Sequence, residues 1–249
     1  MTDSRGALGV LSIVALAGAI ACAPADDAAV AAAEPAAETA SAPIALAFMT
    51  HLDANMPEQD VFIEREAGSG EVWRVTAGDN DMSAPVYRTA EYVPHDPFND
   101  AAVGPYAMGE PLGFTVGDWL AHSGSGTYEC VGGVGHVDMS FTGLVPNGVY
   151  TIWHAFMASP PTDPFVQPLE LPLGARDGSE SVFTADEDGT ATVVRDVEPC
   201  LEMSDLHTAA VLAINYHSDG LTYGPMPGEF GNRAHIPLFL MLPSREGIE

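Results

Sequence analysis

His136-Val137-Asp138-Met139-Ser140-Phe141-Thr142 leads through Gly143-Leu144-Val145-Pro146-Asn147-Gly148 into Val149-Tyr150-Thr151-Ile152-Trp153-His154-Ala155-Phe156-Met157, and this stretch decides the fold. In its first part Val137, Met139 and Phe141 alternate with polar neighbours, the period of a strand with one face on a core. Pro146-Asn147-Gly148 has the residues of a tight turn. In the last part apolar side chains fall on both faces, which predicts a central strand covered on each side.

Similar short runs extend outward in both directions. Strands are predicted at 181–185, 190–197, 209–216 and 235–242, with a turn at Asp186-Glu187-Asp188-Gly189 between the first two. Upstream, 61–64 and 72–75 flank Ala67-Gly68-Ser69-Gly70 and read as a hairpin. The stretch 85–111 carries Pro85, Pro94, Pro97, Pro105 and Pro111 and reads as a long loop, either ordered and laid on the domain or flexible, and 116–122 reads as one helical turn. Many short strands, Gly and Pro turns and hardly any helix argue an all-β chain, a Greek-key β-sandwich.

Composition narrows the class of function. The chain has 249 residues, with 35 acidic against 8 basic ones and a formal net charge of -27. All eight basic residues are arginine. Such a surface repels phosphate backbones, so nucleic acid is not an expected partner.

The N-terminus points to export. Residues 7–21 are small and apolar, the length of a signal-peptide core and too short to span a bilayer. Ala19-Ile20-Ala21-Cys22 is similar to the lipobox of bacterial lipoproteins, which implies cleavage before Cys22, lipid on its thiol and a membrane partner by that anchor. Ordinary cleavage after Ala21-Cys22-Ala23 is the alternative. Residues 22–43, rich in Ala, Glu and Pro, lack large apolar groups to offset chain entropy and are expected to be a disordered tether. The chain then divides into a lipoprotein signal peptide (1–21), the tether (22–43), N-terminal strands with a Pro-rich loop (44–110), the sandwich (111–243) and a tail (244–249). The expected location is the cell envelope, periplasmic or at the cell surface.

With Cys22 assigned to the anchor, Cys130 and Cys200 remain. In an oxidising compartment this pair reads as a disulfide, with two separate buried thiols as the alternative.

The second half resembles copper/zinc superoxide dismutase. Phe141-Thr142-Gly143-Leu144-Val145-Pro146-Asn147-Gly148-Val149-Tyr150-Thr151-Ile152-Trp153-His154 is similar to the family's Gly-Leu-x-Pro-Gly turn and the His-x-His strand behind it. Thr184-Ala185-Asp186-Glu187-Asp188-Gly189-Thr190-Ala191, Ala213-Ile214-Asn215-Tyr216-His217 and Gly228-Glu229-Phe230-Gly231-Asn232-Arg233 follow in the family's order. Chordin-type domains share the first pattern. The resemblance implies a superoxide dismutase-like sandwich over about residues 135–242. It also places His154 and His217 at copper-ligand positions and Arg233 at the active-site arginine. Ile152 stands where the first histidine of His-x-His belongs, and 159–176 holds no histidine for a zinc loop.

Two functions from different classes follow. The favoured one is a non-catalytic envelope lipoprotein whose sandwich binds a protein or small molecule or serves structurally, with no catalytic residue and no cofactor. The alternative is a copper- or zinc-binding protein using His154 and His217 with His235 or His136. Tyr223, Met226, Phe230 and Arg233 mark a candidate binding loop, aromatic and Met-rich for a connection. Asp186-Glu187-Asp188-Gly189 reads as a tight turn in preference to a calcium loop. Neither His217-Ser218-Asp219-Gly220 nor His122-Ser123-Gly124-Ser125-Gly126 has nucleophile-elbow spacing.

Overall fold

A computed structural model describes residues 42–54, 56, 60–96, 98–166 and 169–244. The leader, Cys22, nearly all of the expected tether and the end of the tail lie outside the described residues. The chain runs through β1 (Ile44–Ala47), β2 (Phe62–Ile63), β3 (Glu71–Arg74), β4 (Pro85–Thr89), a 3-10 turn at Asp100–Val103, β5 (Tyr106–Thr115) and α1 (Val116–Leu120). It continues through β6 (Ser123–Val131), β7 (Val134–Thr142), β8 (Val149–Ala158), β9 (Leu169–Pro172) and β10 (Val182–Thr184). Last come β11 (Ala191–Val197), β12 (Thr208–His217) and β13 (Ala234–Met241).

Two antiparallel sheets face each other. One has the order β1-β6-β7-β11 and the other β10-β8-β12-β13, with β9 sharing the β10 edge of β8. After β7 the chain changes sheet to β8, returns to lay β11 beside β7, and crosses again to lay β12 beside β8. These crossings make the expected Greek-key sandwich.

The local reasons are legible in the strands. In β7 every second residue is buried, and Val137, Met139 and Phe141 face the core. The β6–β7 hairpin turns on Gly132 and Gly133, both at positive φ, as a type I′ two-residue loop requires. Asn147 adopts a left-handed conformation in the turn before β8 (φ 58°). Both Asp186 oxygens accept hydrogen bonds from within their own turn, from Asp188 N, Thr190 N and Thr190 Oγ1. That carboxylate closes a tight turn, as the sequence predicts. Phe141, Phe183 and Tyr150 stack across the core, with ring centroids 5.3 and 5.2 Å apart. Cys130 and Cys200 form the expected disulfide, pinning the end of β6 to the segment after β11.

Between β1 and β6 the chain detours through β2 to β5, which close a small barrel in the order β2-β3-β5-β4. The hairpin expected near 61–75 is β2 and β3. The stretch 85–111 is not one long loop, because it begins in β4 and ends inside β5. Pro85 opens β4, where a missing N–H is tolerated, and two register shifts between β4 and β5 accommodate Pro111. Thr115 and Asp118 form a reciprocal cap that fixes α1 as a single turn. Its Trp119 stacks on Phe114 with ring planes 7° apart.

β8 and β12 are buried on both faces, as two-sided apolarity predicts. Tyr150, Ile152, Leu212 and Ile214 point into the sandwich. Trp153, Ala155, Val211 and Ala213 point outward, where Phe230, Met49, Met56 and Phe239 cover them.

Candidate functional site

The covering of that outer face creates the most unusual chemistry among the described residues. After β1 the chain bridges to β13: Met49 N donates to Phe239 O at 2.8 Å and Phe239 N to Met49 O at 2.9 Å. The chain then passes behind the sheet, where His51 lies against Phe239 with ring centroids 5.0 Å apart. Farther along the same segment comes Asp60. His235 Nδ1 donates to the Asp60 carbonyl at 2.5 Å, and burial keeps this imidazole neutral, so its Nε2 accepts from Ser218 Oγ at 2.9 Å.

The Asp60 carboxylate is fully buried, and neither oxygen accepts a hydrogen bond of ordinary length. Nδ1 of His95 stands 3.6 Å from Oδ1, and the His95 ring stacks on Phe230 at 4.5 Å. Burial alone would raise the pKa of Asp60, but the nearby imidazoles of His95, His51 and His235 outweigh it and hold the group below its usual value. Burial depresses His51 to about 4, and its Nδ1 has no hydrogen-bond partner. Glu170, half-buried at the rim, is pushed up to about 7 by burial. Buried polar atoms are paired in most folds, so orphans at one place call for an explanation.

His51, His95 and Glu170 border a cavity of about 40 Å³, with Met56, Met157 and Met241 also in its lining, over an apolar floor of β8, β12 and β13. An organic ligand needs roughly 300 Å³ or more. A water takes about 30 Å³, so this cavity fits an occupant of one heavy atom.

A second cavity, about 360 Å³, opens at the end of the sandwich beside β9 and the disulfide. His154 sits in its wall and donates from Nε2 to Glu202 O at 3.0 Å. Arg176, Glu198 and Glu202 all line it, so charges of both signs are present.

The structure does not bring the sequence-derived metal candidates together. Leu212 pairs with His154 and His217 pairs with Val149, five positions along the same two strands. Five positions are about 17 Å, and an odd number places the two imidazoles on opposite faces of the sheet. The copper site implied by the resemblance therefore does not fit this pair. His217 Nε2 meets Thr151 Oγ1 at 2.8 Å, and that oxygen also accepts from Trp153 Nε1 at 2.7 Å. His136 lies exposed on the other sheet, with Nδ1 2.6 Å from Asp196 Oδ1. His235 is in the buried cluster already described. Among the described residues, no three of the His, Cys, Asp and Glu side chains group as a metal cage.

The candidate loop splits in two. Tyr223 donates its hydroxyl hydrogen bond to Asp219, while Arg233 lies over the Tyr223 ring at 5.9 Å. Met226 is exposed, whereas Phe230 is buried beneath His95. Phe230 is thus a packing residue of the outer face.

His51, Asp60 and His95 form no motif in the sequence, being scattered singly along irregular chain. The available signal was the density of Met and His in Met49-Thr50-His51 and Met56, unusual for a connection. Comparison with family models, with curated proteins and with solved structures finds no match for this chain.

Proposed function

We propose that the protein is a non-catalytic binding module of the bacterial cell envelope, anchored by lipid at Cys22, that carries one monatomic ion behind the β8–β12–β13 sheet. The observation that carries this reading is the fully buried Asp60 carboxylate, unsatisfied by hydrogen bonds of ordinary length and set among three imidazoles, two of which, His51 and His95, line an atom-sized cavity. A charge desolvated in this way is costly unless the surrounding groups have a use for it. The signal-like leader and the lipobox-like Ala19-Ile20-Ala21-Cys22 support the location, and the disulfide suits an oxidising compartment. A superoxide dismutase-like ancestry is compatible with the Greek-key order of strands, with the implied copper pair displaced by the geometry of β8 and β12.

The test is elemental analysis of the full chain, exported by a bacterial host and isolated from its membranes. One equivalent of a single ion is expected, falling to background in His51→Ala. A protein free of stoichiometric ion after exposure to a mixture of biological cations would refute the reading.

A further inference from the structure

The lining of the small cavity narrows the ion. Of the eleven residues that line it, three carry thioethers, Met56, Met157 and Met241, and two carry imidazoles, His51 and His95. Met49 packs in the same cluster, so four of the chain's 10 methionines gather on this one outer face. Methionine fills irregular gaps in any core, but leucine serves that end as well. The gathering is informative because it coincides with His51, 4% exposed, whose Nδ1 has no hydrogen-bond partner.

Donor chemistry excludes the common hard ions. Calcium takes six to eight oxygen ligands and magnesium about six, and Glu170 supplies the one carboxylate in the lining. Structural zinc is held by thiolate, imidazole and carboxylate, and the only cysteines among the described residues are joined in a disulfide. Thioether sulfur with imidazole nitrogen selects the cuprous ion. Asp60 completes the pattern from behind, since a metal-binding imidazole commonly presents its other nitrogen to a carboxylate, and His95 turns Nδ1 toward Asp60 Oδ1 at 3.6 Å.

We infer that this cavity is a cuprous-ion site, with the imidazoles of His51 and His95 and the thioethers of Met56, Met157 and Met241 as its ligands and Asp60 as a positioning residue. The inference rests on the reading above that the cavity holds an ion. It is distinct from the copper site of the family resembled, because it uses neither His154 nor His217 and lies outside the sandwich core.

The experiment is an anaerobic titration of the full chain, stripped by chelator, with Cu(I) against a chromophoric cuprous chelator, and in parallel with Zn(II) and Ca(II). One equivalent of Cu(I) is expected, with no Zn(II) or Ca(II) bound at the same concentrations. The triple variant Met56→Leu, Met157→Leu, Met241→Leu keeps side-chain volume nearly constant, so it should melt as the parent does while binding Cu(I) more than about tenfold more weakly. Preference for Zn(II) or Ca(II) would overturn the cuprous assignment and leave the ion-binding module standing. No ion bound at all would overturn both. Cu(I) bound equally well by the triple variant would show that the methionines merely pack.

Discussion

Nδ1 of His95 faces Oδ1 of Asp60 across 3.6 Å, and the carboxylate is the more deeply buried partner. The two residues come from separate segments that cover the outer face, so the contact joins these segments to one another. Removing His95 would leave the buried Asp60 carboxylate uncompensated, and breaking a buried pair in this way typically costs about 3–5 kcal/mol. His95→Ala should therefore lower the urea unfolding free energy by about 3 kcal/mol, and Asp60→Ala in the same background should add little. Fully additive losses in this double-mutant cycle would show that the two groups do not interact.

Acid should loosen the fold well above the range where carboxylates titrate. Burial depresses both His122 and His217 to about 4, against an ordinary 6.5. His122 is enclosed by the Trp119 carbonyl, the Tyr150 hydroxyl and, farther off, Asp118; His217 is enclosed by Thr151, Tyr223, Asp219 and His235. As pH falls through 6.5 the unfolded chain takes up protons at these sites and the folded chain does not. Their stabilisation is thus fully present above 6.5 and drains away down to about 4, at about 1.4 kcal/mol per pH unit for each imidazole. Urea midpoints should fall between pH 6.5 and 5, less steeply in His122→Gln. A level midpoint over that range would contradict the assignment of these two groups.

The disulfide closes a long loop, with Cys130 and Cys200 at a sequence separation of 70. In the chain-entropy model a loop of that size contributes about 4 kcal/mol. Cys130→Ala with Cys200→Ala should lower the unfolding free energy by about that amount, and reduction of the parent protein by dithiothreitol should match the double variant. A parent protein indifferent to reductant would show that the loop is already held by its strands.

Gly189 adopts φ +72°, and a Cβ there would lie 2.3 Å from the carbonyl oxygen of Leu144. Gly189→Ala therefore meets both backbone strain and a clash with main chain that cannot swing aside. A loss of about 1–3 kcal/mol is expected in thermal melts. A neutral result would mean that the Asp186 turn relaxes without disturbing β10 and β11.

Cys22→Ala should shift the exported protein from the membrane fraction to the soluble one. Membrane retention of the variant would point to an anchor other than lipid at that residue.

Much of the sandwich was legible because its signals are local. The alternation in β7, the two-sided apolarity of β8 and β12, and the turn residues Asn147 and Gly189 each encode their conformation within a few positions. β6 was not legible. Ser123-Gly124-Ser125-Gly126 has low strand propensity, yet the glycines are required there: a Cβ on Gly126 would sit 2.0 Å from Asp138 O, and one on Gly124 would strike the Phe141 ring. β4 and β5 were hidden by their prolines. The candidate site was invisible for a different reason. His51, Asp60, His95 and Glu170 have no mutual spacing, and only the path of the chain behind the second sheet brings them to one place.

That path carries a kinetic consequence. β1 and β6 are immediate neighbours in the first sheet, yet residues 48–122, which include the whole small barrel, separate them in the chain. Closing so long a loop is entropically slow compared with zipping β6 onto β7 across two glycines. β1, made before the other described strands, is then among the last to dock, and until it does, the outer edge of β6 stands open. A holding chaperone would find its grip at that open edge.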